Sequence, residues 1–92
     1  MLRVIVYRWH ALVRMRERSI DFDDVRRILD EGATIERYAE ERPYPSRLVL
    51  GWVAARPIHI VAADMTPEEV IVVTVYDPDP VEWSSDFRSR LT

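Results

Sequence analysis

The side chains best suited to chemistry in this 92-residue sequence are His10, Arg14, Arg18, Arg47, Arg56, His59 and Tyr76. Metal-free RNA cleavage runs by attack of a ribose 2′-hydroxyl on the neighbouring phosphate. It needs a base for that hydroxyl, a cation for the charge on phosphorus and an acid for the leaving oxygen. Histidine serves as acid or base near neutral pH. Arginine holds phosphate oxygens with a planar fork, and tyrosine can orient or stack a base. His59, His10, Arg47, Arg14 and Tyr76 are therefore the catalytic candidates, and Arg18 and Arg56 the RNA-binding ones. Each also has a plainer role. His10 can decorate a helix start, Arg14 and Arg18 can pair with Glu17, and Arg47 can pair with Glu36 or Glu40. His59 can be a satisfied structural histidine, and Tyr76 a core residue with a wet hydroxyl.

Other chemistries find little support. Gly32 and Gly51 are the only glycines, so there is no phosphate-cradling glycine loop. His10 and His59 lack the spacing of metal ligands on a helix, and cysteine is absent. Ser46 lies in a proline-rich loop with nothing to mark it as a nucleophile. No metal or cofactor is expected.

The candidates must be positioned by a short series of elements. Residues 2–7 read as a short strand. Residues 9–17 read as a helix with an apolar stripe of Trp9, Leu12, Val13 and Met15, and with His10, Arg14, Glu17 and Arg18 on its polar face. Asp21 is a suitable N-cap for a second helix over 22–31, with Asp23 and Asp24 in its first turn and Gly32 at its end. Ile20 and Val25 suit a hydrophobic staple.

The period then falls to two. Residues 34–39 predict an edge strand and 47–53 a strand with Leu48, Leu50 and Trp52 on one face. Residues 58–63 pair with the latter as a hairpin. Residues 70–76 are apolar on both faces and predict the central strand, and 83–91 a short terminal helix docked through Trp83 and Phe87. The expected class is α+β: one domain over 1–92, with two N-terminal helices packed on a three- to four-stranded antiparallel sheet. Hairpin parity decides the candidate site. An odd loop, such as the five residues 53–57, sets Gly51 opposite His59 and places Arg47 and His59 on one open face. An even loop puts His59 on the side of Leu48 and Leu50, against the helices. An open-face site needs the odd register.

Composition sets outer bounds. Apolar residues at 48% and charged residues at 32% are globular values. A chain this short buries only about 60–65% of its unfolded surface, so a partner could add much stability. No apolar run reaches the roughly 20 residues that span a bilayer, and the expected location is the cytoplasm. Net charge is −3, which argues against a strong free nucleic-acid binder. The charge is polarised, however. Residues 1–18 hold five arginines and one acid, while residues 57–87 hold seven acids and no arginine. All thirteen basic residues are arginine.

The blocks His10-Ala11-x-x-Arg14-Met15-x-Glu17-Arg18-x-Ile20, Pro45-Ser46-Arg47-Leu48-Val49-Leu50-Gly51, Arg56-Pro57-Ile58-His59-Ile60-Val61 and Val73-Thr74-Val75-Tyr76-Asp77-Pro78-Asp79 resemble the domain of unknown function 4258 family, over roughly residues 9–88. That family is similar to RelE-like toxins, particularly their BrnT and MqsR branches. The resemblance implies a RelE-like fold and a metal-independent endoribonuclease, the toxin of a type II toxin–antitoxin pair neutralised by a cognate antitoxin. A homodimer is compatible with it. The chain departs from those toxins in being acidic and in lacking lysine. The alternative is a non-catalytic protein-interaction module on the same scaffold, for which the acidic C-terminal third and the exposed Trp83 or Trp52 are suited.

Overall fold

In the computed structural model, which describes residues 3–92, strand β1 (Val4–Tyr7) leads into helices α1 (Trp9–Glu17) and α2 (Phe22–Glu31). Strands β2 (Ala33–Tyr38), β3 (Ser46–Val53), β4 (Arg56–Thr66) and β5 (Glu69–Tyr76) follow. Both helices have the bounds expected from the sequence. α2 is opened by a reciprocal capping box, in which the Asp21 carboxylate accepts the Asp24 amide and the Asp24 carboxylate accepts the Asp21 amide. Val25 and Ile28 form its buried stripe. α1 buries Ala11 and Met15, whereas Trp9, assigned to the apolar stripe, is 78% exposed.

The sheet corrects the expected architecture. It has five strands in the order β1-β5-β4-β3-β2, and it is mixed, because β1 runs parallel to β5 while the other neighbours are antiparallel. The two helices carry the chain from one edge of the sheet to the other. That connection lets β1 return beside the last strand, a pairing with no trace in local sequence. β4, not β5, is the central strand. Leu2, the first residue of the expected first strand, lies outside the described residues.

The expected terminal helix is also corrected. Residues 77–92 form turns with one isolated bridge, Trp83 to Arg90. Local polar bonds displace the helix. Ser84 Oγ donates to the Asp86 carboxylate and accepts the Ser89 amide, Asp86 accepts the Arg88 amide, and Phe87 has φ 62°. Serine and aspartate compete with the helical ladder in this way.

The helices cover one face of the sheet. Val49 of β3, Ile58, Ile60 and Ala62 of β4, and Val70, Val72 and Val75 of β5 meet Ala11, Met15, Ile20, Val25 and Ile28 there. The segment 77–92 lies on part of the other face. Gly51 lies under α2, where an added Cβ would overlap the Ile28 side chain; Gly32 ends α2 where a Cβ would lie 2.6 Å from the Leu50 carbonyl oxygen. Gly51→Ala should therefore destabilise the domain by about 1–3 kcal/mol through overpacking, and Ile28→Ala, which removes the two Cγ atoms nearest that position, should make the loss in the double variant smaller than the sum of the single losses. Chemical denaturation of the four proteins measures it. Additive losses would mean that the two side chains do not compete for one space.

Candidate functional site

The β3–β4 turn settles the parity. Val53 pairs with Arg56, leaving a two-residue turn at Ala54 and Ala55, and Leu50 pairs with His59. The loop is even, so His59 shares a face with Leu48 and Leu50, and Arg47 points to the other face. The Leu48 face is not the one against the helices; it is the one that receives the C-terminal segment.

Two bulges complete this face. One residue is inserted between Thr34 and Glu36, and another in β5 opposite the Val61–Ala62 step. Each reverses the alternation that follows it. Glu36 is thereby aligned with Leu48, and Tyr76 with His59, instead of both turning toward the helices.

His59 is fully buried. Its Nε2 lies 2.9 Å from the Phe87 carbonyl oxygen and its Nδ1 lies 3.2 Å from the Tyr76 hydroxyl. A carbonyl only accepts, so Nε2 carries the proton and Nδ1 accepts from Tyr76. The Trp83 ring meets the imidazole edge to face at 4.4 Å between centroids. Burial, the larger influence, lowers the His59 pKa, against the raising effects of the Phe87 carbonyl and Glu36. The ring is therefore neutral, with both nitrogens engaged.

Arg90 holds the far end of the segment. It forms two bonds to the Glu36 carboxylate, at 2.9 and 3.1 Å, and its guanidinium lies 4.7 Å from the centre of the Trp83 ring. The Arg90 bond lowers the Glu36 pKa, while burial and the bond to Glu36 push the Tyr38 hydroxyl up to about 12.

The remaining candidates lie elsewhere. Arg47 bonds Asp64 at 2.9 Å and Thr34 at 3.1 Å on the helix-side face. It does not pair with Glu36 or Glu40. On α1, His10 and Arg18 are exposed and Arg14 lies 3.6 Å from Glu17. Arg56 binds Asp77 at 3.1 Å and donates to the Arg18 carbonyl oxygen. The structure thus joins His59 to Tyr76 and Arg56 to the end of α1, and keeps His59, Arg47 and the α1 group in three separate places. Trp83, expected to be exposed, is 4% exposed; Trp52 is 44% exposed.

Sequence reasoning gave Glu36 and Phe87 other roles and missed Arg90, and also Arg3, Arg37 and Asp64, which surround Arg47. Asp64 left one signal: it ends the alternating run Ile58, Ile60, Ala62 and needs a cation on that side. Arg90 and Glu36, 54 residues apart, left none. Among the described residues, no three His, Asp or Glu side chains converge in a way that could hold a metal ion.

The rest of the Leu48 face is open. Across all five strands, Val6, Ile71, Ala63, Ser46 and Tyr38 are aligned in one row. A cavity of about 330 Å³ lies over Ala63, Val61 and Val73, rimmed by Arg8, Arg42 and Tyr44. Beside it Val4 and Val6 are 58% and 42% exposed.

The lowered His59 pKa gives a signed expectation. The unfolded imidazole titrates near 6.5 and the folded one below it, so between those values the unfolded chain binds more protons. Stability is full above about pH 6.5 and falls with pH through that window. Glu36, Asp64 and Asp24, whose pKa values are lowered, add their loss only below about pH 4.5. Denaturant unfolding between pH 7.5 and 5, pH values set by about the span of the histidine titration, should show a steeper fall for the native protein than for His59→Gln. Parallel pH profiles would count against a neutral, buried imidazole.

No curated protein and no solved structure matches the chain. A family model described as a domain of unknown function (DUF4258) matches residues 7–77.

Proposed function

Because the chain belongs to the DUF4258 family, which carries no assigned activity, we propose from its geometry that the domain works by binding a protein partner, as a non-catalytic interaction module. The observation that carries this reading is the half-covered sheet face. The C-terminal segment closes the half that holds His59, and the other half presents Val4, Val6, Val61, Ile71 and Val73 around the cavity beside Arg8.

β1 is also an edge strand. The Val4 and Arg8 amides donate to Glu68 and Val72 of the β5 side, so alternation turns the Ile5 and Tyr7 amides outward. An extended partner segment can add there as a sixth strand, with its alternate apolar side chains covering Val4 and Val6. Arg8 has no carboxylate partner among the described residues, and it favours a segment carrying an acid near its end. Such an occupant is a partner protein of the kind a cognate antitoxin would be, and it would complete a small core.

A second reading is the metal-independent endoribonuclease of a RelE- or BrnT-like toxin. It is favoured by the arginines Arg8, Arg16, Arg18, Arg37 and Arg88, which have no carboxylate partner among the described residues and suit phosphate. His59 and Tyr76 would contribute only after the C-terminal segment lifts, and Arg47 acts from the opposite face.

Co-expression with the product of the neighbouring reading frame tests the first reading. Complex formation should protect the Ile5 and Tyr7 amides from hydrogen exchange. Val6→Asp, at an exposed site, should weaken the complex by about tenfold or more while leaving thermal stability close to native. A complex that forms equally well with Val6→Asp overturns the proposed surface. Growth arrest and RNA cleavage by the chain expressed alone, abolished by Arg47→Ala and His59→Ala, would favour the nuclease.

A further inference from the structure

On the helix-side face, away from the surface just described, Arg3, Arg37 and Arg47 surround Asp64. Three guanidiniums against one carboxylate leave a local excess of positive charge in a chain whose total is −3. Arg37 and Arg47 are direct cross-strand partners in β2 and β3. Like charges so placed repel each other and destabilise a sheet. Asp64 offsets part of this, lying 2.9 Å from Arg47 Nε and 2.9 Å from an Arg3 terminal nitrogen. Arg37 has no carboxylate within ion-pair distance among the described residues.

Asp64 also fixes the two guanidiniums it touches. Arg47 and Arg3 have side chains only 15% and 28% exposed, so little conformational entropy remains to be lost when a ligand arrives. Their donors are not exhausted. One Arg47 terminal nitrogen donates to Thr34 Oγ1 at 3.1 Å, which leaves the Thr34 hydroxyl proton free to donate outward. Arg3 is held further, since the terminal nitrogen that meets Asp64 also donates to the Thr66 and Glu69 carbonyl oxygens, both at 3.2 Å.

The space beside these groups is a cavity of about 450 Å³ that also takes in Thr66 and Pro67. A second hollow of about 280 Å³ shares Arg37, Arg47 and Asp64 and continues toward Pro45 and Ser46. No aromatic side chain lines either one, so nothing there would stack a base.

We propose that Arg3, Arg37 and Arg47 form a binding site for a phosphate ester. The phosphoryl oxygens accept from the free Arg37 fork, from the outward edges of Arg3 and Arg47 and from the Thr34 hydroxyl. The organic group of the ester lies along the groove toward Pro45. A phosphate dianion offers three acceptor oxygens to several fixed forks, a better match than one further carboxylate. The assignment is independent of the protein-binding reading, since the two surfaces lie on opposite faces.

Side-chain Nε–Hε resonances of the arginines, followed by NMR on the full chain, test it. The probes are inorganic phosphate, adenosine 5′-monophosphate, and one oligoribonucleotide with either a 5′-phosphate or a 5′-hydroxyl. Phosphate and the mononucleotide should move Arg3, Arg37 and Arg47 together. Arg37→Gln removes an exposed, unpaired side chain and should weaken binding about tenfold, as expected for a charged hydrogen-bonding group, whereas Arg16→Gln on α1 should not. A 5′-phosphorylated oligonucleotide that binds about tenfold more tightly than its 5′-hydroxyl form assigns the site to the end of a polymer. Equal binding of the two, with phosphate still bound, assigns it to free phosphates. Either result upholds the site. Unmoved arginine signals, equal losses in Arg37→Gln and Arg16→Gln, or equally effective competition by acetate would each overturn it.

Discussion

A neutral imidazole held at both nitrogens ties the C-terminal segment to the sheet, and the division of one sheet face into a closed and an open half follows from it. His59 accepts from the Tyr76 hydroxyl and donates to the Phe87 carbonyl oxygen. Without them the buried ring nitrogens of His59 would lack a hydrogen bond, at a penalty of roughly 1–3 kcal/mol each. Trp83 adds an edge-to-face contact on the same ring. The Arg90–Glu36 pair is more exposed, and ion pairs of that kind contribute only about 0–1 kcal/mol. The segment is therefore anchored at its buried end and guided into place at its exposed one. A histidine used in this way is spent as a structural bridge, because no lone pair and no ring proton is left for a substrate.

The arginines divide by a similar logic. Arg56, Arg90, Arg47 and Arg3 are held by Asp77, Glu36 and Asp64 and fasten distant parts of the chain to one another. Arg8 and Arg37 have no such partner among the described residues, and they stand beside the two principal hollows of the sheet. Net charge, at −3, conceals this, because the sixteen acids are spread over both halves of the chain while the unpaired guanidiniums collect at particular margins.

How much was legible in the sequence differs by element. α2 was readable throughout, since Asp21, Asp24, Val25, Ile28 and Gly32 act within a few residues of one another. The even β3–β4 turn was one of two open alternatives, because the sequence Val53-Ala54-Ala55-Arg56-Pro57 carries no strong turn signal; Ala54 takes the left-handed conformation, φ 55°, with no glycine or asparagine to advertise it. The bulges were hidden for a physical reason. They show only as a break in alternation, and β5 is apolar on both faces, so Val72, Val73 and Thr74 gave no contrast from which to read it. The parallel pairing of β1 and the Arg3–Asp64 contact join residues more than sixty apart along the chain, the hydrogen bonds of the C-terminal cover join residues 28 and 54 apart, and no local period records them. As a result the sequence supplied the candidate residues singly, without saying which of them the fold brings together.

The two edges of the sheet argue for a partner from opposite directions. An exposed edge invites pairing with other chains, and proteins blunt it with charge, bulges or covering segments. β2 follows that rule: it carries Glu36 and Arg37, contains a bulge, and is tied down by Arg90. β1 does not. Its sequence is Val-Ile-Val-Tyr, without a charge or proline, and two of its valines are about half exposed on the same side as the uncovered row of the sheet. Its only defence is its length of four residues. If selection acted only against aggregation, Val4 and Val6 would be the cheapest positions in the molecule to change, since they contribute little to the core formed by Ile5 and Tyr7 beneath the helices. Under the proposed protein-binding role, their apolar character serves a surface that another chain covers.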